Sequence, residues 1–138
     1  PLNRSSAGID AVRVLMQNLE RDRSVVIFPE GTRSPDGTLQ RGMLGVVYLA
    51  LKSQAPILPV GVTGTNTFPL WRIPFPFKRM KASIGQPFTL PVIEGNPSRA
   101  VMNSLLDIVM RRIADQLPPD LGGAYGDNRT NKMTKQTI

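Results

Sequence analysis

The run Val25-Val26-Ile27-Phe28, followed at once by Pro29-Glu30-Gly31-Thr32-Arg33-Ser34, constrains this chain more than any other stretch. Four apolar, mostly β-branched residues predict a short buried strand over 24–28, and the proline, which has no N–H to give to a ladder, ends it. The strand then delivers Glu30 to a surface turn. Gly31 supplies freedom in φ there. The backbone N–H groups of Gly31 and Thr32, the hydroxyls of Thr32 and Ser34 and the Arg33 guanidinium are placed to converge on an anion. Ligands of open α/β sheets sit just past the carboxyl ends of strands, which is where these groups fall. The plainer reading of the same residues is a strand, a tight turn and a Glu30–Arg33 surface pair contributing about 0–1 kcal/mol.

Composition narrows the chemistry. The 138 residues include no histidine and no cysteine. The most common general base, and the usual partner of a serine or cysteine nucleophile, therefore cannot come from this chain. Seventeen Lys and Arg against ten Asp and Glu give a net charge of +7 and a sequence pI near 10.6. Anionic partners are favoured: phosphate-bearing small molecules, anionic lipid surfaces or nucleic acid. With 41% hydrophobic and 20% charged residues the chain reads as globular, and its length suits a single core. No apolar run approaches the ~20 residues needed to span a bilayer, and no metal-ligand cluster or phosphate-cradling glycine fingerprint is present. Neither a metal nor an organic cofactor is expected.

Along the chain, Ser5 or Ser6 can cap a helix over 6–21 whose apolar stripe is Ile9, Val12, Leu15, Met16 and Leu19. Ser34-Pro35-Asp36-Gly37 is a turn by composition. Arg41-Gly42 leads into Met43–Lys52, apolar on all sides and predicted to be a helix buried on most faces, with Arg41 at its anion-favouring N-terminus. Residues 55–65 read as a second buried strand, with Ile57, Leu58, Val60 and Val62 in the core and Pro59 at an edge or bulge. In residues 68–81 three prolines forbid a helix, and Trp71 and Phe75 are interleaved with Arg72, Lys78 and Arg79. That pattern suits contact with an anionic membrane, single-stranded nucleic acid, or a loop folded onto the core. Asn96 and Pro97 open a helix over 97–117 with Val101, Leu105, Ile108, Val109 and Ile113 as its buried stripe, ended by Pro118-Pro119.

The block FPEGTRS, residues 28–34, resembles the third sequence block of the glycerolipid acyltransferases of the 1-acylglycerol-3-phosphate acyltransferase type. The likeness extends from Arg4 to Tyr125: Pro-Leu-Asn-Arg at 1–4 is similar to the end of the family's second block, Arg41-Gly42 to its basic residue and glycine, and the segment around Pro59 to its fourth block. The resemblance implies that Glu30, Gly31, Thr32 and Arg33 form the glycerol-phosphate site, and that Arg4, at the end of a strand, and Arg41 contact the phosphate. Pro59 would shape the acyl-donor groove. Missing is the family's first block, a histidine four residues before an aspartate, which supplies the base; the chain is expected to be an N-terminally truncated fragment.

The expected fold is therefore α/β, a single-domain mixed and mainly parallel sheet flanked by helices, like that of the glycerol-3-phosphate acyltransferases. Residues 1–126 would be the acyltransferase domain and 127–138 a polar basic tail. The expected function is acyl transfer in phospholipid biosynthesis, from acyl-CoA or acyl-carrier protein as co-substrate to a lysophosphatidic-acid-like acceptor, at the cytoplasmic face of an anionic membrane through Trp71, Arg72, Phe75, Lys78 and Arg79. Without the histidine and aspartate, the chain as given is expected to be inactive. The alternatives are a noncatalytic lipid-phosphate binding module and, with less support, a basic nucleic-acid binder, since no nucleic-acid motif accompanies the spread charge.

Overall fold

A computed structural model of the chain describes residues 4–64 and 80–126, with side chains for 11–64 and 80–126. Helix α1 (Arg4–Leu19) is followed by α2 (Gly45–Ser53), strands β1 (Val60–Thr63) and β2 (Lys81–Ile84), α3 (Arg99–Ala114), and two 3₁₀ turns at Pro119–Leu121 and Gly123–Tyr125. The class is mixed helix and strand, as the sequence predicts. The sheet is not the predicted one: among the described residues it has two strands, paired antiparallel in the register Val60↔Ile84 to Thr63↔Lys81.

The strand predicted over 24–28 forms no regular element and has no ladder partner among the described residues. Val26 and Phe28 are 82% and 79% exposed. A four-residue apolar run becomes a strand by pairing, and no described segment pairs with this one. Among the described residues no strand flanks α1 on either side. Arg4 lies in the first turn of α1 instead of ending a strand. The helix ends through Asp22, whose left-handed backbone (φ 55°) reverses the chain while Arg23 N–H donates to Asn18 O. Val12, Leu15, Met16 and Leu19 are half-buried, and α1 packs on α2.

The core lies between α2 and α3. Val47 and Ala50 of α2 meet Leu105, Leu106, Val109, Met110 and Ala114 of α3, with Leu39 and Leu90 closing the ends. The predicted α3 stripe holds at Leu105 and Val109 but not throughout: Leu106 and Met110 are buried with them, whereas Val101 and Ile108 are 40% and 46% exposed. Its cap differs too, since Ser98 rather than Asn96 occupies the N-cap and its hydroxyl accepts from Val101 N–H at 3.3 Å. On its carboxyl turn the Arg112 guanidinium lies 5.1 Å over the Phe88 ring.

The β1–β2 sheet turns small residues, not its apolar ones, toward α3. A Cβ on Gly61 would strike the Gln116 backbone carbonyl, and one on Gly85 would meet the Gln116 side chain and the Pro59 ring. Only glycine lets the helix end come this close. Leu58, Val60 and Val62, predicted to be core, consequently fall on the opposite face and are 52%, 40% and 45% exposed. Pro59 does sit at the ladder's edge as predicted, its carbonyl accepting from Gly85 N–H beside the isolated Ile57↔Phe88 bridge.

Candidate functional site

The turn after Phe28 and the segment before α2 form one hydrogen-bonded double loop. Gly31, with φ 68°, donates its N–H to Phe28 O at 3.1 Å and closes the turn over Pro29 and Glu30. Two bonds then tie this turn to residues 40–43. Pro29 O accepts from Met43 N–H at 2.7 Å, and Glu30 Oε2 accepts from Gln40 N–H at 2.8 Å. Gly31 takes the left-handed backbone that favours glycine, and both glycines lie close against neighbouring side chains. A Cβ on Gly31 would run into Met43 Sδ, and one on Gly42 would meet Met110 Sδ at 2.6 Å and Leu106 Cδ1 at 2.9 Å. The strapped loops thus rest on the buried face of α3.

Between the two straps, Asp36 organises residues 34–40. Its Oδ1 accepts from Ser34 Oγ (2.9 Å), Thr38 N–H (3.0 Å), Thr38 Oγ1 (2.8 Å) and Gln40 Nε2 (3.3 Å). Ser34 Oγ in turn accepts from Gly37 N–H. The Thr38 N–H, then the Thr38 and Ser34 hydroxyls, hold the Asp36 carboxyl below its ordinary value, because each favours the charged form. Below this loop Leu39 is buried, its N–H donating to Leu121 O at 2.8 Å.

Thr32, Arg33 and Arg41 remain exposed on this frame. Among the described residues neither guanidinium has an ion-pair or hydrogen-bond partner, and the Glu30–Arg33 pair of the plainer reading does not form. The structure revises the donor set read from the sequence. Gly31 N–H is used within the turn and the Ser34 hydroxyl within the Asp36 network, which leaves the two arginines and Thr32 as the groups available to an anion. Glu30 is turned inward to Gln40. Arg4 belongs to α1, and the position of its side chain lies outside the described residues, as do Trp71, Arg72, Phe75, Lys78 and Arg79. Pro59 is buried beside Gly85.

Gln40 carries no signal in the sequence, although it joins both loops. The Asp36–Thr38 half of the network is legible as an Asx turn. Among the described residues no group of side chains is placed to hold a metal ion, and no helix is long and apolar enough to cross a membrane.

The double loop thus presents two exposed arginines between residues 24–28 and α2. Residues 1–63 match the family model described as Acyltransferase. A 1-acyl-sn-glycerol-3-phosphate acyltransferase of Limnanthes alba is 48% identical over 63 residues, 46% of this chain and 21% of the relative. That of Cocos nucifera is 38% identical over 68 residues, 49% of this chain and 21% of the relative. That of Bacillus subtilis is 28% identical over 116 residues, 83% of this chain and 55% of the relative. The chain thus spans about a fifth of the plant relatives' length and about half of the bacterial one's. No solved structure matches it.

Proposed function

We propose that the double loop holds the phosphate of a 1-acylglycerol-3-phosphate acceptor, and that the chain serves acyl transfer to this acceptor from acyl-CoA or acyl-carrier protein. The observation that carries the reading is the presentation of Arg33 and Arg41, both unpaired among the described residues, by one strapped frame inside the segment that matches the acyltransferase family. A guanidinium meets two phosphate oxygens at once, so two such groups suit a phosphate monoester. The Thr32 hydroxyl adds a neutral donor, Glu30 and Gly31 shape the turn, and Arg4 would bring a third cation. The relatives' names supply the acceptor.

The base that deprotonates the acceptor hydroxyl must come from outside these 138 residues, since they include no histidine. The absence of histidine equally favours a second reading, a noncatalytic lipid-phosphate binding module, to which the same loop is suited. We place the acceptor at a membrane surface, with Trp71 and Phe75 in the headgroup region and Arg72, Lys78 and Arg79 each adding about 1 kcal/mol of attraction to anionic lipid. Sedimentation with vesicles should then show binding that rises with anionic lipid content; equal binding to neutral vesicles rules out this contact.

Titration of the chain with sn-glycerol 3-phosphate, followed by the phosphorus resonance, tests the site. Arg33→Ala and Arg41→Ala are each expected to weaken binding about tenfold or more, the loss of a charge-assisted hydrogen-bonding group. Unchanged affinity in both variants excludes the double loop as the phosphate site.

A further inference from the structure

We infer that Glu30 is a positioning residue, whose carboxylate sets the placement of Arg41 relative to Arg33 by holding the Gln40 N–H, and that it does not itself contact the acceptor. The inference rests on the phosphate-site reading above and assigns a division of labour within it.

The geometry is specific. Arg41 lies between Gln40 and Met43, and both of those residues are tied back to the turn: Gln40 N–H to Glu30 Oε2 at 2.8 Å, Met43 N–H to Pro29 O at 2.7 Å. Arg33 lies three residues beyond Glu30, on the strand-side limb of the same double loop. That limb is held from its far end by the Gln40 side chain, whose Nε2, with two protons to give, lies within hydrogen-bond distance of Thr38 O and Thr38 Oγ1 at 3.1 Å, Asp36 Oδ1 at 3.3 Å and Ser34 Oγ at 3.4 Å. Gln40 is therefore a clasp with two ends. Its backbone is fastened by Glu30, and its side chain fastens the loop that carries Arg33.

Chemistry assigns the roles in the same way. A carboxylate facing a phosphate dianion is repelled by it, whereas the same carboxylate turned to a half-buried backbone N–H makes a charge-assisted bond and keeps its charge away from the ligand. A carboxylate is also suited to the hinge because it accepts without competing for acceptors. The backbone segments that carry the two arginines, whose guanidiniums have no partner among the described residues, are then held together before the ligand arrives. Holding them so removes part of the ordering cost of binding.

The test is a comparison of Glu30→Gln with Glu30→Ala in the full chain. A glutamine at 30 retains a carbonyl oxygen for the Gln40 N–H but has no charge; an alanine retains neither. Affinity for sn-glycerol 3-phosphate is expected to fall about tenfold in Glu30→Ala, and Glu30→Gln is expected to recover most of that loss. Hydrogen exchange supplies a readout independent of the ligand: the Gln40 amide should be protected in the parent and in Glu30→Gln and should exchange faster in Glu30→Ala, with the α3 amides unchanged in all three. Glu30→Gln binding as weakly as Glu30→Ala, with its Gln40 amide still protected, shows the charge acting on the ligand directly and overturns the inference. So does undiminished binding by Glu30→Ala. Failure of the parent chain to bind sn-glycerol 3-phosphate removes the phosphate site itself, and the positioning role with it. Should Glu30→Ala unfold, Glu30→Gln alone decides: protection of Gln40 with affinity near that of the parent supports the inference, and loss of affinity overturns it.

Discussion

Asp36 shows how a single side chain sets both a loop and a pH dependence. Its folded-state pKa lies below the ordinary value near 3.8, first because of the Thr38 N–H and then the Thr38 and Ser34 hydroxyls. The contribution is therefore present above about pH 4, where the unfolded carboxyl is ionised, and is lost as the pH falls through the lower folded value. Asp36→Asn is expected to melt below the parent near neutral pH, and the gap between the two melting temperatures is expected to narrow below about pH 4. A gap that stays constant into acid means that the network is indifferent to the Asp36 charge. The same donors disqualify Asp36 as a base, because a carboxylate stabilised in its charged form is less ready to take a proton. The Asp-Gly turn was readable from residue types alone. The engagement of Glu30 with Gln40, ten positions away, was not, because no local pattern encodes a bond across that distance.

At the scale of elements, helices were better read than strands. The spacing of apolar residues placed α1 and α3 within a few residues of their ends, since a helix satisfies its own backbone and needs only one covered face. Where α3 begins depended on competition between neighbouring capping residues, and Ser98 holds that position over Asn96. Ser98→Ala is expected to lower stability by about 1 kcal/mol in denaturant melts, while Asn96→Ala should leave it nearly unchanged. Equal losses in the two variants argue that the helix starts earlier. Strands fared differently because their bonds go to another segment. Residues 24–28 have strand composition and no partner among the described residues, and β1 turns Gly61 inward and its valines outward because Gln116 needs the space.

For the whole molecule, the composition makes a prediction that the structure sharpens. With no histidine or cysteine, the carboxylates nearest the proposed phosphate site are Glu30, bonded to Gln40, and Asp36, saturated with donors. Neither is a base poised to deprotonate a glycerol hydroxyl, and the lack of such a base costs about 10²–10⁴-fold in rate. Residues 1–138 alone are expected to give no acylated product from acyl-CoA or acyl-carrier protein and 1-acylglycerol-3-phosphate while retaining affinity for the phosphate. Product formed by this chain alone refutes the need for a base from outside it. Phosphate affinity without any transfer, even after a histidine-bearing segment is supplied, favours the binding module.

By itself the sequence determined the mixed class, the approximate span of each helix, the turns at Gly31 and Gly37, and the gathering of Glu30, Gly31 and Arg33 at one bend. All of these follow from residues within a few positions of one another, through φ preferences, capping and the periodicity of burial. Tertiary structure alone decided that the described strands pair antiparallel, that α3 buries Leu106 and Met110 in place of Val101 and Ile108, and that Gly42 lies flush against that helix. It also decided that Glu30 faces Gln40 and leaves Arg33 and Arg41 exposed. Each of these depends on which distant backbone or side chain arrives as a neighbour, and close packing leaves that choice to the fit of the assembled elements.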